Sequence, residues 1–188
     1  GMAMSDLTKK ALAESLMITL REKPFETITV RELTARCGLT RNAFYYHFHD
    51  IYNLLEYIFL TELTSLQTKY SENENWEGGL EYGLKYLYAH KVAVRNIYRS
   101  INQELVARYV DNVAYEHVRA AISQLYSDTV AEMSDEAIDE VTRFYKGALL
   151  GTITTWMVSD MNTEPDVLAR NFDKMFRATF RSAAAAAK

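Results

Sequence analysis

An all-α fold is predicted by three features of the sequence. Its 188 residues include only two prolines, Pro24 and Pro165, and seven glycines, so little interrupts a helix over most of the length. Apolar residues recur at three- and four-residue steps rather than alternating. Helix-starting patterns, "TVRE" at 29–32 and "TEPD" at 163–166, stand directly before such periodic runs. A hydrophobic content of 48% can build a sizeable core, and 24% charged residues is ordinary for a globular domain.

The first helix is expected from Asp6 to Glu22, where Ala11/Leu12, Ser15/Leu16 and Thr19/Leu20 form one stripe at four-residue steps. Pro24 stops it, and "FETIT" follows as a short loop whose Phe25 and Ile28 can plug a small core. Thr29 and Glu32 form a capping box for the second helix, in which Val30, Leu33 and Cys37 face inward and Gly38 supplies a left-handed end. Thr40 caps a third helix running to about His49, and Asp50 caps a fourth that carries Ile51, Leu54, Leu55, Ile58 and Phe59. Further helices are expected at 76–90, 92–100, 103–133, 135–160 and 165–187. The β-branched "TITTWMV" (152–158) has strand character, yet no turn residue interrupts it, so it reads as helix.

The second and third helices, joined by Gly38-Leu39-Thr40, have the spacing of a helix-turn-helix. On the third, Ala43, Phe44, His47 and Phe48 share one arc, while Arg41, Asn42, Tyr45, Tyr46 and His49 share the opposite one. That second arc suits base edges and phosphates better than a hydrophobic core. The charge distribution agrees in sign. Residues 1–50 carry seven lysines and arginines against six acids, whereas the remainder carries fourteen against nineteen.

"TVRELTARCGLTRNAFYYHFHDIYNLLEYI" (29–58) resembles the DNA-binding segment of the TetR/AcrR (tetracycline-repressor) family. Gly38, Thr40, Ala43, Phe44, Tyr45, His47, Phe48, Leu54 and Leu55 all fall on that pattern, and the resemblance extends over roughly residues 8–60. "FYYHFHDIYNLL" is also similar to the branch containing dihydroxyacetone-kinase operon regulators. The resemblance implies a DNA-binding helix-turn-helix domain at 5–50, with the fourth helix connecting from about 51, and a helical effector-binding and dimerisation domain at 51–188. It implies no cofactor and no enzymatic activity. Its partners would be a near-palindromic duplex operator, an unidentified small-molecule effector and a second copy of the chain, with repression as the expected outcome. Tyr45 and His47 look like phosphate contacts by this resemblance. Thr29 and Thr40 present helix N-termini to phosphates, and Arg41, Asn42 and Tyr46 are candidates for base edges. Arg31 and His49, with Lys9, Lys10 and Arg36, flank them. One departure stands out: Ile51 occupies a position where the family usually has a lysine.

Beyond the module the residues allow more than one reading. Tyr82, Tyr86, Tyr98, Tyr109, Tyr115 and Tyr145, with Trp156, are candidates for an effector pocket, although helical cores also use tyrosine simply as packing. Gly147 and Gly151, beside Leu150 and Ile153 and with Phe172 and Phe176 on the last helix, are candidates for a dimer face. Neither His90 nor His117 sits at a metal-ligand spacing. A single cysteine, Cys37, excludes an internal disulfide framework and reads as a small buried hydrophobe. No run of about 18 apolar residues and no secretion signal are present, so a cytoplasmic protein without a membrane span is expected. Gly1-Met2 reads as a cloning remnant. The rival readings are a helical ligand carrier or enzyme whose helix-turn-helix no longer binds DNA, and a DNA-binding protein without an effector.

Overall fold

The computed structural model describes residues 3–71, 76–100 and 103–187, with side chains for all of these except 63, 64, 66–71, 100, 103–107 and 109. It is all-α, with no strand among the described residues. The chain divides into two compact units, Gly1–Ser65 with His90–Leu105, and Leu66–Ala89 with Val106–Lys188.

In the first unit, helix α1 (Met4–Glu22) buries Leu12, Ser15, Leu16, Thr19 and Leu20, the stripe read from the sequence. The small residues let the next helix approach closely, and the Ser15 hydroxyl donates to the Leu33 carbonyl at 2.8 Å. The "FETIT" segment, expected as a plain loop, contains a 3-10 turn at Phe25–Thr27. Pro24 sets the entry at φ −59°, and its carbonyl accepts from both the Thr27 N–H and the Thr27 hydroxyl. Helix α2 (Val30–Arg36) has the predicted capping box: Glu32 N–H donates to Thr29 Oγ1 at 3.2 Å and Thr29 N–H to Glu32 Oε2 at 2.9 Å. Gly38 has φ +68°, the left-handed geometry that favours glycine, and the following Leu39 N–H closes onto the Thr34 carbonyl at 2.9 Å.

Helix α3 (Arg41–His47) ends two residues earlier than expected. The start of α4 (Ile51–Ser71) explains this, because Phe48 must turn extended to free the next residues for capping. Asn53 N–H donates to Asp50 Oδ1 at 2.8 Å while His49 N–H donates to Asn53 Oδ1 at 3.1 Å. Helix α6 (Lys91–Ser100) packs against α1 and the 3-10 turn with Ala93 and Ile97 buried. Its Asn96 side-chain amide donates to the Leu20 carbonyl at 2.7 Å, satisfying one of the orphan acceptors at the end of α1.

The second unit contains α5 (Trp76–Ala89), most of α7 (Gln103–Leu125), the single turn α8 (Ser127–Val130), α9 (Asp135–Val158) and α10 (Pro165–Ala186). One helix was expected over 103–133. It breaks instead at Tyr126, whose backbone leaves helical geometry (φ −132°, ψ 40°) and whose ring stacks on Phe180 at 4.2 Å. Aromatic burial at that corner outweighs the helix propensity of the surrounding residues. "TITTWMV" is helical within α9, which ends in the left-handed pair Asp160 (φ 62°) and Met161 (φ 53°); Met161 is itself buried, and its N–H donates to the Trp156 carbonyl at 2.8 Å. Pro165 opens α10, as the start pattern implied. The buried Asp173 is fully engaged: Trp76 Nε1 donates to it at 2.6 Å and Arg177 Nε to both oxygens at 3.0 and 2.9 Å. No described helix is long and apolar enough to cross a membrane.

Candidate nucleic-acid interface

Two buried rings hold α3 from behind. Phe44 is completely buried and Phe48 nearly so, their centroids 5.8 Å apart, with Tyr57 of α4 at 5.5 Å from Phe48. Burying such a ring contributes roughly 1.5–3 kcal/mol, enough to fix the rotation of a seven-residue helix that could not stand alone. With that rotation set, the other arc is turned outward. Tyr45 is 57% exposed and Tyr46 82%, far more than aromatic residues with a packing role would be.

Arg41 and Asn42 occupy the first turn of α3, both exposed, and neither side chain has a hydrogen bond or ion pair among the described residues. The Thr40 hydroxyl is occupied as the cap, accepting from Ala43 N–H at 3.1 Å, and Thr29 plays the same part on α2. Arg31 is exposed on α2, with no ion pair among the described residues, and α2 packs directly on α3. His47 is half-buried, its ring 4.9 Å from Tyr46. His49 is exposed, with Nδ1 3.4 Å from Asp50 Oδ2. All nine candidates therefore belong to one compact unit, and its two short helices carry eight of them as residue or cap.

One flanking candidate, Arg36, and a further cation at the end of α1, Lys23, are engaged elsewhere. Arg36 donates to Glu22 at 2.6 Å, and Lys23 pairs with Glu32. The Lys23 hydrogen bond, followed by the Thr29 backbone N–H, holds the Glu32 carboxyl below its usual range. Lys9 lies over the Tyr57 ring at 5.9 Å. Cys37 is half-buried, its thiol pushed up by burial.

The effector-pocket candidates come from several helices. Tyr145 is buried against Phe176 at 4.8 Å and shares a 2.7 Å hydrogen bond with the Thr179 hydroxyl. Tyr115 donates to Asp139 at 2.8 Å beneath the Arg143 guanidinium, and Trp156 donates to the Thr163 carbonyl at 2.8 Å. Burial raises the Tyr145 hydroxyl and the Asp139 hydrogen bond raises that of Tyr115, so both remain protonated donors. Tyr82 and Tyr86 are half-buried in the second unit, whereas Tyr98 belongs to the first; the Tyr109 side chain lies outside the described residues. His117, read only as an isolated histidine, has the one buried side-chain nitrogen (Nε2) without a partner among the described residues. Its ring lies 5.0 Å from Trp76, and burial lowers it to about 4, so it is neutral at pH 7.

The dimer-face candidates separate by depth. Gly147 and Gly151 are exposed and Leu150 and Ile153 half-buried, but Phe172 and Phe176 are buried inside their own unit against Trp76. The sequence pattern had not singled out Phe144, Val158 or Met175, which are 66%, 74% and 70% exposed. Phe144, Gly147, Ala148, Gly151, Thr155 and Val158 follow one side of α9 and are all exposed. A groove of about 550 Å³ borders that side, lined by Gly147, Ala148, Gly151, Trp156 and Leu168 among others.

Comparison with known proteins places these features in context. Residues 8–58 match the model described as bacterial regulatory proteins, tetR family, and residues 74–178 match a transcriptional regulator C-terminal region. No curated protein matches the sequence. Among solved structures, the chain is similar to the dihydroxyacetone kinase operon activator DhaS, with a TM-score of 0.70 at 15% identity, covering 93% of this chain and 96% of that one. It is also similar to a TetR transcriptional regulator from Streptococcus agalactiae 2603V, with a TM-score of 0.63 at 17% identity over 91% and 94% of the two chains. At such identities the likeness is one of fold.

Proposed function

Because the chain belongs to the TetR family of transcriptional regulators, we propose that it acts as a homodimer on a near-palindromic operator and represses transcription until a small-molecule effector binds. The observation that carries this reading is the outward arc of α3, where Arg41, Asn42, Tyr45 and Tyr46 are exposed around a firmly anchored helix. Arg41 offers two donors to a guanine edge and Asn42 a donor and an acceptor to an adenine edge, while Tyr45, His47 and the capped N-termini near Thr29 and Thr40 serve the phosphate backbone. In this reading residues 5–50 read DNA, and residues 51–188 bind the effector and dimerise.

The second copy is proposed to seat on the outer side of α9. Each mid-helix glycine costs roughly 0.5–1 kcal/mol relative to alanine. A Cβ at Gly147 or Gly151 would meet nothing within 4 Å among the described residues, so packing within the chain does not explain them. Close approach of another helix does, with Phe144, Val158 and Met175 as the apolar area to be covered. The effector coupling is proposed as a two-state balance in which the ligand favours the arrangement of lower DNA affinity. DhaS, by its name, activates an operon, so transcription in the presence and absence of the chain is the readout for the sign of regulation.

The test combines two measurements on the intact chain. Sedimentation should give the mass of a dimer, and duplex binding should weaken steeply with added salt as counterions are released. A monomer would overturn the dimer. Absence of duplex binding at low salt would overturn the regulator and favour the ligand-carrier reading.

A further inference from the structure

The two helices that would face DNA, α2 and α3, are short of fixed positive charge. Lys23 and Arg36 are committed to Glu32 and Glu22, which leaves Arg31 and Arg41 as the cations of α2 and α3 without an ion pair among the described residues. Duplex DNA presents one negative charge per roughly 1.7 Å of axis, so the two arginines of these helices neutralise little of it, and the other cations of the module, Lys9, Lys10 and Arg21, stand on α1. The segment joining α3 to α4 adds an acid at that point, Asp50, but it also contains His49, directly after His47 at the end of α3.

His49 has a side chain 91% exposed, and its position is fixed by its backbone N–H bond to Asn53 Oδ1. Its Nδ1 faces Asp50 Oδ2 at 3.4 Å, while the other carboxylate oxygen of Asp50 caps α4. Asp50 therefore orients the ring without being free to follow it. Further along α4, the Asn53 amide donates to Glu56 at 3.4 Å. His47 closes α3 between the neutral rings of Tyr46 and Phe48, and no charged side chain pairs with it among the described residues. On α1, Lys9 lies over Tyr57, the ring packed on Phe48.

We propose that DNA binding by this chain is proton-coupled: His49, together with His47, takes up a proton as the phosphate backbone docks and supplies positive charge that α2 and α3 lack. The inference rests on the DNA-binding reading above. With both rings neutral, residues 47–50 carry the single negative charge of Asp50; with both protonated they carry one net positive charge. Imidazole is the side chain whose ordinary titration falls near neutral pH. A polyanion brought beside it favours the charged form, and by linkage the charged form favours the polyanion. Affinity is then highest on the acid side and is lost as pH rises and the bound rings deprotonate.

The test measures binding of the full chain to a mixed-sequence duplex of about 30 base pairs, three helical turns, at several salt concentrations and at pH values of about 6 and 8. Wild type should bind roughly three- to tenfold more tightly at the lower pH. Its slope of log affinity against log salt should steepen by about 0.9 for each proton taken up. His49→Gln should remove about half of that steepening, and the His47→Gln/His49→Gln pair should leave binding insensitive to pH. His49→Lys should bind at pH 8 nearly as tightly as wild type does at pH 6. Thermal melts of each variant identify any loss of fold. A wild-type slope unchanged between the two pH values, or an undiminished pH effect in the double variant, overturns the proposal. No salt-sensitive binding at either pH overturns the regulator reading, and this inference with it.

Discussion

The outward sides of α3 and α9 are both exposed, but they are made of opposite materials. On α3 the residues left outside are an arginine, an asparagine and two tyrosines, each with donors to offer. On α9 they are glycines, an alanine and threonines, with Phe144 and Val158 standing out from them. A polar, planar surface suits a hydrated polyanion, which is recognised through hydrogen bonds and charge. A surface of small residues with apolar knobs suits another helix, which is recognised through close approach and exclusion of water. The contrast separates two kinds of partner before either has been identified.

The largest expected effect comes from breaking the α9 side. Gly151→Trp fills space that is open within the chain, so the fold should survive with its helicity unchanged. A dimer seated there could not close. Sedimentation should show a monomer, and operator affinity should fall by roughly 100-fold or more, because two linked reading heads gain 10²–10⁴ from effective concentration. A dimeric Gly151→Trp protein with intact binding would move the interface elsewhere on the chain.

Breaking the α3 side should give smaller and more discriminating losses. Arg41→Ala should relax preference at one base pair per half-site by roughly 1–3 kcal/mol, leaving other positions alone. Tyr45→Ala should weaken all duplexes alike, since a phosphate contact reads no sequence. Binding profiles over an operator-variant library distinguish the two patterns. An Arg41→Ala profile parallel to wild type would remove Arg41 from base reading.

What the sequence made legible follows range. The caps at Thr29 and Thr40, the left-handed Gly38 and the stripe of α1 depend on neighbours within a few residues, and all were readable. The break at Tyr126 was not, because its cause is a ring stack with Phe180, more than fifty positions away. The helix at 92–100 was readable, but the packing of α6 on α1, with Ala93 and Ile97 buried, was not. Aromatic residues on α10 were the hardest to place. Phe172 and Phe176 have the spacing of a contact face, and only the arrival of Trp76, Tyr126 and Tyr145 makes Phe176 interior. Met175 beside it is the exposed one, a difference of a single helical position. For the candidate site, the outward arc of α3 was legible, but the diversion of Lys23 and Arg36 into ion pairs was not, since their partners depend on how α1 meets α2.

The smallest expected effect tests whether the α3 side is held in place by purely local devices. Thr29→Ala deletes the side-chain half of the capping box, leaving Glu32 N–H without its acceptor. Such caps contribute about 1 kcal/mol, so urea melts should show that loss with an unchanged slope. The reciprocal half depends on an ionised Glu32, whose carboxyl is held below its usual range by Lys23 and the Thr29 backbone. A depressed acid contributes stability above its unfolded pKa and loses it as pH falls through its folded value. The wild-type advantage over Thr29→Ala should therefore be complete at neutral pH. It should shrink on acidification to the extent that the two halves of the box act together. Since α2 packs on α3 but makes none of its outward contacts, Thr29→Ala should lower the melting midpoint while leaving the base preferences of the folded protein unchanged. Altered preferences would mean that Thr29 reaches the duplex itself, and that the boundary between supporting and reading residues lies one helix nearer the N-terminus than α3.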